Sequence, residues 1–505
     1  MMDDDLLLHR GDHVRARTLN RMRQFGVDSV HVTMLWRYLG ANANLSNAQI
    51  RRIKSAAARR RARKQRKQFR ANDPRTYPRR NWDPWDNLLK EAAKLKMPVH
   101  LTVTGPGPRY AHRKAPRSQR RNANSYKPIA SRFRAFAHAV GKRYSGTYED
   151  ENAIRQPLPR IVTWSLWNEP NQSGWLSPQW ERRGGTWVPA SPMIYRSLYR
   201  AGVEGLGASG HGSDRILFGE TAPLGTSKRG YRSAIRPTPF LRELLCLTPT
   251  GAAYTGTPAS RRGCGNFAKG PLKTTGFAHH AYTKKRAPTA PVAHPEELTM
   301  ANVTTWGPLL DKLSAQSGGK IPSGLPITVS EFGYETKPPD PRNGISQARQ
   351  AQYNQLGDFL AYNTPRVTGI TQFLLRDARP LTQFKKNTRG YWFTYQTGLF
   401  TRAGKAKPAA SAYLLPFVVY LRSPGVLGFW GHLRFRPNQP GDVAVVQWRQ
   451  NAQSPWQQLG PPAPANASGY FVKAAVVPAP NAEYRAVYVD PATGKIRIGS
   501  LPSTP

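Results

Sequence analysis

Apolar runs of strand length alternate with amphipathic stretches of helical period from residue 10 to about residue 420, and few folds accept that alternation. Strands separated by crossover helices lie parallel, with the helices covering the sheet. The strand-like runs are 27–36, 99–104, 161–167, 216–218, 276–280, 327–330 and 369–374, with helical patterns at 14–25, 85–96, 131–144, 195–206 and 407–420. Seven runs call for one more to make an eight-stranded barrel. Only residues 1–8 precede the first helix, so the first strand is expected to be abbreviated. After Pro424 the texture changes to short alternating or β-branched stretches at 426–435, 443–449, 470–477 and 483–489, split by Pro, Asn, Gly and Asp. The expected fold is therefore an α/β chain: a (β/α)8 TIM barrel over 1–422, followed by a small antiparallel β-sandwich-like domain over 423–505.

Two of the strand-like runs lead straight into a glutamate. Trp164-Ser165-Leu166-Trp167-Asn168-Glu169-Pro170-Asn171 and Ile327-Thr328-Val329-Ser330-Glu331-Phe332-Gly333 place carboxylates where strands meet the loops of one barrel face. A carboxylate at the end of a buried strand is costly unless the site uses it, and desolvation there raises its pKa. A pair of them suggests acid/base chemistry. Glu220, after Ile216-Leu217-Phe218-Gly219, is a third acid at a strand end, expected to bond a ligand hydroxyl or pair with a loop arginine.

At these residues the chain resembles the retaining glycoside hydrolases built on (β/α)8 barrels, in which the fourth strand ends in Asn-Glu and the seventh in a nucleophilic Glu. The Trp-Asn-Glu-Pro-Asn form most resembles family 39, the β-xylosidase and iduronidase branch. The resemblance implies Glu169 as acid/base and Glu331 as ionised nucleophile, acting on an oligo- or polysaccharide. It also implies that Asn168 bonds the sugar 2-hydroxyl, and that in His280-Ala281-Tyr282 the histidine contacts substrate while Tyr282 orients Glu331. Trp36 and Trp175 are candidate sugar-stacking platforms, with core or loop-anchoring roles as the alternative. The chain departs from the clan at His31, where an arginine is usual, and around Phe373, where a tryptophan is usual. A catalytically silent carbohydrate- or cell-wall-binding protein is the competing reading.

The formal charge of +46 is concentrated. Fourteen Lys or Arg residues lie between Arg51 and Arg80 against the single acid Asp73, and nine lie between Arg109 and Arg134 with no acid. Both runs follow barrel strands and fall on the loop face; they are read either as a solvated basic surface or as attraction of a polyanion, an acidic glycan or an anionic wall polymer. Nucleic acid is disfavoured, because residues 51–70 offer only Phe69 as a base-stacking aromatic and no nucleic-acid-binding motif accompanies them. Cys246 and Cys264 have neither CxxC spacing nor a nearby ligand-patterned histidine, so a zinc site is not expected, and the glycosidase resemblance implies no metal or cofactor. They are read as a disulfide closing a loop, with two free thiols as the alternative. A disulfide and the glycosidase resemblance predict a secreted protein. The acidic start, Met1 to Asp5, carries no export signal, which predicts either a cytoplasmic protein or a start further upstream. No apolar run is long enough to span a membrane.

Overall fold

The computed structural model of the chain describes residues 1–153, 156–436, 439, 441–490 and 492–505. Its centre is a parallel sheet of seven strands in the order β1 (Val30–Leu35), β2 (Val99–Thr104), β3 (Thr163–Leu166), β6 (Arg215–Thr221), β7 (Gly276–His280), β8 (Ile327–Phe332) and β9 (Val367–Gln372). The two edges of this curled sheet meet at Met2. It makes parallel bridges to Phe373 and to His31, and its amide and carbonyl bond Gln372 and Leu374 of the last strand region. The eighth stave is thus a single bridged residue, followed by a helix over Asp4–Leu8. Asp3 caps that helix and accepts the Leu375 and Arg376 amides, which ties the seam together.

Helices cover the sheet on the outside because their apolar stripes face it. Asp83–Lys94 buries Trp85, Leu88, Leu89 and Ala92, while Ala130–Arg143 buries Phe133, Phe136, Ala137 and Val140. A hairpin of β4 (Trp180–Arg183) and β5 (Thr186–Pro189) projects from the loop after β3. Its signal in the sequence is Gly184-Gly185, both at positive φ, which suits a tight hairpin turn.

The helix expected over 407–420 is shorter. It runs Pro408–Leu414, because Pro416 lacks the amide a continuing helix needs and disfavours helical backbone in the residue before it. The β-branched run beyond it becomes the strand Phe417–Ser423, paired with Val426–His432. A three-stranded antiparallel sheet (Phe417–Ser423, Val426–His432, Tyr470–Val476) faces a second one built on Val443–Arg449 and Glu483–Val489. Phe417, Phe429, Val446, Phe471, Tyr484 and Ala486 fill the space between them. This β unit packs on the strand-entry end of the barrel: Arg434 meets Gly26 ahead of β1, pairs with Asp358 at 2.9 Å and stacks on Tyr413. It therefore lies opposite the loops that follow the strands. Among the described residues no helix is long and apolar enough to cross a membrane.

Cys246 and Cys264 are bonded as expected. Closing a loop of 18 positions removes unfolded-state entropy of about 3 kcal/mol. The Cys246→Ser, Cys264→Ser double variant is expected to lose on the order of 3 kcal/mol in denaturant unfolding of the barrel; an unchanged midpoint would show that the bridge carries no stability.

Candidate active site

Three neighbouring strands break register at the residues that face the mouth. The β6–β7 pairing shifts between Gly219 and Thr221, the β7–β8 pairing between His279 and His280, and the β8–β9 pairing between Val329 and Phe332. Such bulges re-aim side chains; here they present Glu220, His280 and Glu331 to one point. Trp167, Glu169 and Glu220 adopt positive φ (76°, 36° and 44°), a strained backbone for residues other than glycine, and such strain collects at functional sites. Gly219, at φ 107°, has no substitute: a Cβ there would lie 2.5 Å from the Ala278 carbonyl oxygen.

The result is one imidazole among three carboxyl groups. His280 Nδ1 lies 3.0 Å from Glu169 Oε1 and 3.4 Å from Glu331 Oε2, and its Nε2 lies 3.0 Å from Glu220 Oε2. Tyr282 donates its hydroxyl to Glu331 Oε2 at 2.9 Å, and Ser330 donates to Glu220 Oε2. His280 and Glu220 have no exposed side-chain surface, whereas Glu169 keeps 21% of its own. The sequence-predicted pair therefore comes together. Two oxygens held at those distances from a single nitrogen lie no more than 6.4 Å apart.

The charges follow from burial set against contact. Burial pushes the Glu331 carboxyl up; the His280 charge opposes this, Glu169 adds to it, and the balance falls at about 7. Burial alone would lower His280, but Glu331, Glu169 and Glu220 together hold it well above the usual histidine range. Burial alone would raise Glu220, yet the His280 hydrogen bond and the charges of His31, His280 and His100 hold it well below the ordinary carboxylate range. Glu331 was expected to be ionised. In the free cleft it instead reaches full charge only above about pH 7, because its burial outweighs the cation beside it.

Asn168 is buried, its amide donates to Thr104 Oγ1 at 2.9 Å, and its Oδ1 has no partner among the described residues. Trp175 is half-buried, and its carbonyl accepts the Trp167 indole N–H at 3.2 Å. Trp36 is a correction. It opens a short helix, Trp36–Leu39, and its fully buried ring stacks on Phe136 at 5.2 Å, so no sugar can reach it. Glu220 is a second correction: it touches neither solvent nor a loop arginine. His31 stacks on His100 with centroids 4.2 Å apart and bonds the Ser330 carbonyl and Thr102 Oγ1, and burial lowers its pKa. It braces the strand that carries Glu331 without supplying a cation. Tyr395, absent from the sequence reading, stands in T-shaped contact with Phe373 and lines a cleft of about 530 Å³ together with Tyr282, Lys284, Lys285, Arg286 and Glu335. Its signal was weak, an aromatic-rich loop after the last strand.

His31, His100 and Glu220 form a group whose ligating atoms lie within 4.8 Å of one another. They fit a metal poorly. The two rings are stacked and nearly parallel, 12° apart, so their planes do not meet near the ring nitrogens, and the Nε2 of each is already within hydrogen-bond reach of a hydroxyl, Thr102 or Ser165.

Fold and site together define a (β/α)-barrel with a carboxyl cluster at its loop face. No protein-family model and no curated protein matches the chain. Among solved structures it is similar to a family 39 glycoside hydrolase from Bacteroides cellulosilyticus WH2, at 13% identity over 91% of this chain and 76% of that one, with a TM-score of 0.43. It is also similar to a monomeric β-xylosidase from Caulobacter crescentus CB15 (11%, 97% and 92%, TM-score 0.47) and to GH5_18 from Streptomyces cattleya in complex with GlcNAc (14%, 81% and 74%, TM-score 0.44). At such identities and scores these neighbours carry no functional inference.

Glu331 has a testable cost. A carboxyl raised from 4.5 to about 7 favours the fold fully below pH 4.5, and that contribution is lost as pH rises through about 7. Glu331→Gln, which cannot ionise, is therefore expected to be more stable than the parent at pH 8 by about 3 kcal/mol, with the gap closing toward pH 4.5. Denaturant titrations at the two pH values measure it; a pH-independent difference would contradict the assignment.

Proposed function

We propose that the protein is a retaining glycoside hydrolase acting on a poly- or oligosaccharide, with Glu169 as acid/base and Glu331 as nucleophile. The observation that carries this reading is the shared contact of both carboxyls with His280 Nδ1. An upper bound of 6.4 Å on these two oxygens accommodates the roughly 5–5.5 Å separation of a double-displacement pair and lies at the foot of the roughly 6.5–9.5 Å range in which a water works between the carboxyls.

The chemistry needs one proton on the pair, located on Glu169 when the bond breaks. In the free cleft burial favours that proton on Glu331. His280 offers the route: its Nδ1 gives a proton to Glu169 and takes one from Glu331, leaving the imidazole charged as before. Glu331 then attacks the anomeric carbon while Glu169 protonates the departing oxygen, and the covalent glycosyl-enzyme forms. In the second step Glu169, now a carboxylate, takes a proton from water as the oxygen attacks, and Glu331 departs ionised. Asn168 Oδ1, buried with its acceptor free, is suited to the sugar 2-hydroxyl, a bond that strengthens in the transition state. Tyr282 steadies Glu331, and Tyr395 is a platform at the rim in place of Trp36.

The substrate we infer is anionic. The helix Ala56–Gln68 buries none of its residues, and its seven Lys or Arg side chains form no ion pair among the described residues. Its end is joined to the next basic loop by the Phe69–Tyr110 ring contact. Nearer the chemistry, the Lys284 ammonium sits 5.6 Å from the centre of the Tyr282 ring.

Purified protein is expected to release reducing ends from a uronate-containing polysaccharide faster than from a neutral one, with the advantage shrinking as salt rises. Equal rates with no salt effect would remove the anionic substrate while leaving the glycosidase. On aryl glycosides with good leaving groups, Glu169→Gln is expected to retain a glycosylation burst but lose steady-state turnover at least a hundred-fold, and Glu331→Ala to lose both. Oligosaccharide binding by all forms without turnover by the parent would identify a binding protein instead.

A further inference from the structure

We propose that Glu220 is a positioning residue that acts through His280: its fixed charge cancels the imidazolium, so that Glu169 and Glu331 keep between them the single proton that double displacement requires. This rests on the glycosidase reading.

Four observations carry it. Glu220 is wholly buried, yet a carboxylate survives there because His280 Nε2 lies 3.0 Å away and Ser330 donates to the same oxygen. The backbone is built to put it there, through the bulge at Gly219–Thr221, the positive φ of Glu220 and a glycine that admits no Cβ. With Nε2 committed to Glu220, the ring can present only Nδ1 to the catalytic pair, and it reaches both members. The remaining neighbours supply a rival charge only at acid pH. His100 lies 3.9 Å from Glu220 Oε1, and His31 stacks behind it; burial lowers the pKa of both, so they face Glu220 as neutral rings at neutral pH. Tyr195, which accepts the Gly219 amide, and His279, bonded to Thr221 and the Leu298 carbonyl, are also neutral there. Tyr282 faces Glu331 as a neutral donor.

The count of charges gives the consequence. With Glu220 ionised, one negative charge offsets His280 and the catalytic pair is left with one charge and one proton. Without it, the imidazolium faces the pair unopposed and draws the remaining proton off at neutral pH, so the acid is missing before the sugar arrives.

The test is Glu220→Gln, which keeps the shape and removes the charge, with Glu220→Asp as the conservative partner. For Glu220→Gln the alkaline limb of kcat/KM is expected to move down by at least one pH unit. Activity at pH 7 then falls at least ten-fold while a larger share survives near pH 5. Glu220→Asp is expected to move the limb less. A profile superimposable on the parent's in both variants, or a uniform loss at all pH values, overturns the proposal. A readout independent of turnover separates this from the glycosidase reading. In carbon-13 NMR of the labelled carboxyls, Glu331 in Glu220→Gln is expected to titrate at least one unit below its parental value even if no glycan is cleaved. In the unaltered protein nitrogen-15 shifts are expected to show His280 as a cation at pH 7, and a neutral imidazole there overturns the proposal without any variant.

Discussion

The site depends on one interaction, an imidazolium inserted among three carboxyl groups where water hardly reaches. Two carboxyls at this separation in a buried place cannot both ionise unaided. The cation on His280 makes one charge tolerable, and Glu220, from the adjacent strand, makes the cation tolerable. Everything that shapes the mouth serves this contact. The register shifts on β6, β7 and β8 turn consecutive strands toward one point, and the positive φ at Glu169 and Glu220 is the local strain that goes with it.

The cost appears in the barrel interior. Barrels of this kind are usually filled by layers of branched apolar side chains. Here His31, His100, Thr102, Ser165, Glu220 and Ser330 are buried together and bonded to one another, His31 to Thr102, His100 to Ser165 and Ser330 to Glu220, while Glu220 Oε1 has no hydrogen-bond partner among the described residues. A buried polar network of this type stays ordered only while its members remain paired, and it rigidifies the strands it joins. The apolar contribution to stability is displaced outward, to the sheet–helix layer where Trp85, Phe133, Phe136 and Trp164 pack, and into the separate core of the C-terminal sandwich. The β unit on the strand-entry end can thus add stability without lining the cleft.

Much of this was legible in the chain. Strand-to-glutamate endings mark Glu169 and Glu331 because a strand fixes where its last residue points, and the alternation of elements orders the strands. What escaped has physical causes. Glu220 showed as an acid at a strand end, but a bulge decides whether such a residue faces outward or inward, and a bulge leaves no pattern beyond a glycine. Trp36 read as the last residue of a strand with its ring at the mouth, whereas the chain turns into a helix there and folds the ring onto Phe136. The helix expected over 407–420 ignored Pro416. A stave made of one bridged residue has no hydrophobic period to detect.

The cationic loops and the acidic site also belong together physically. Three carboxyls sharing one imidazolium make a locally negative spot, which repels an anionic substrate at short range. The arginine-rich segments supply the opposite field at longer range, where exposed charges act through solvent within a Debye length of about 8–10 Å. Between the two stands Lys284, held over the ring of the tyrosine that bonds Glu331. On the proposed reading, a glycan carrying carboxylates would be drawn in by the rim, and one acidic group would be met by Lys284 while its glycosidic bond reached Glu169. The strongly positive surface is in this sense the counterpart of the negative centre: the more the chemistry concentrates carboxyls in one buried place, the more an acidic substrate needs cations at the entrance.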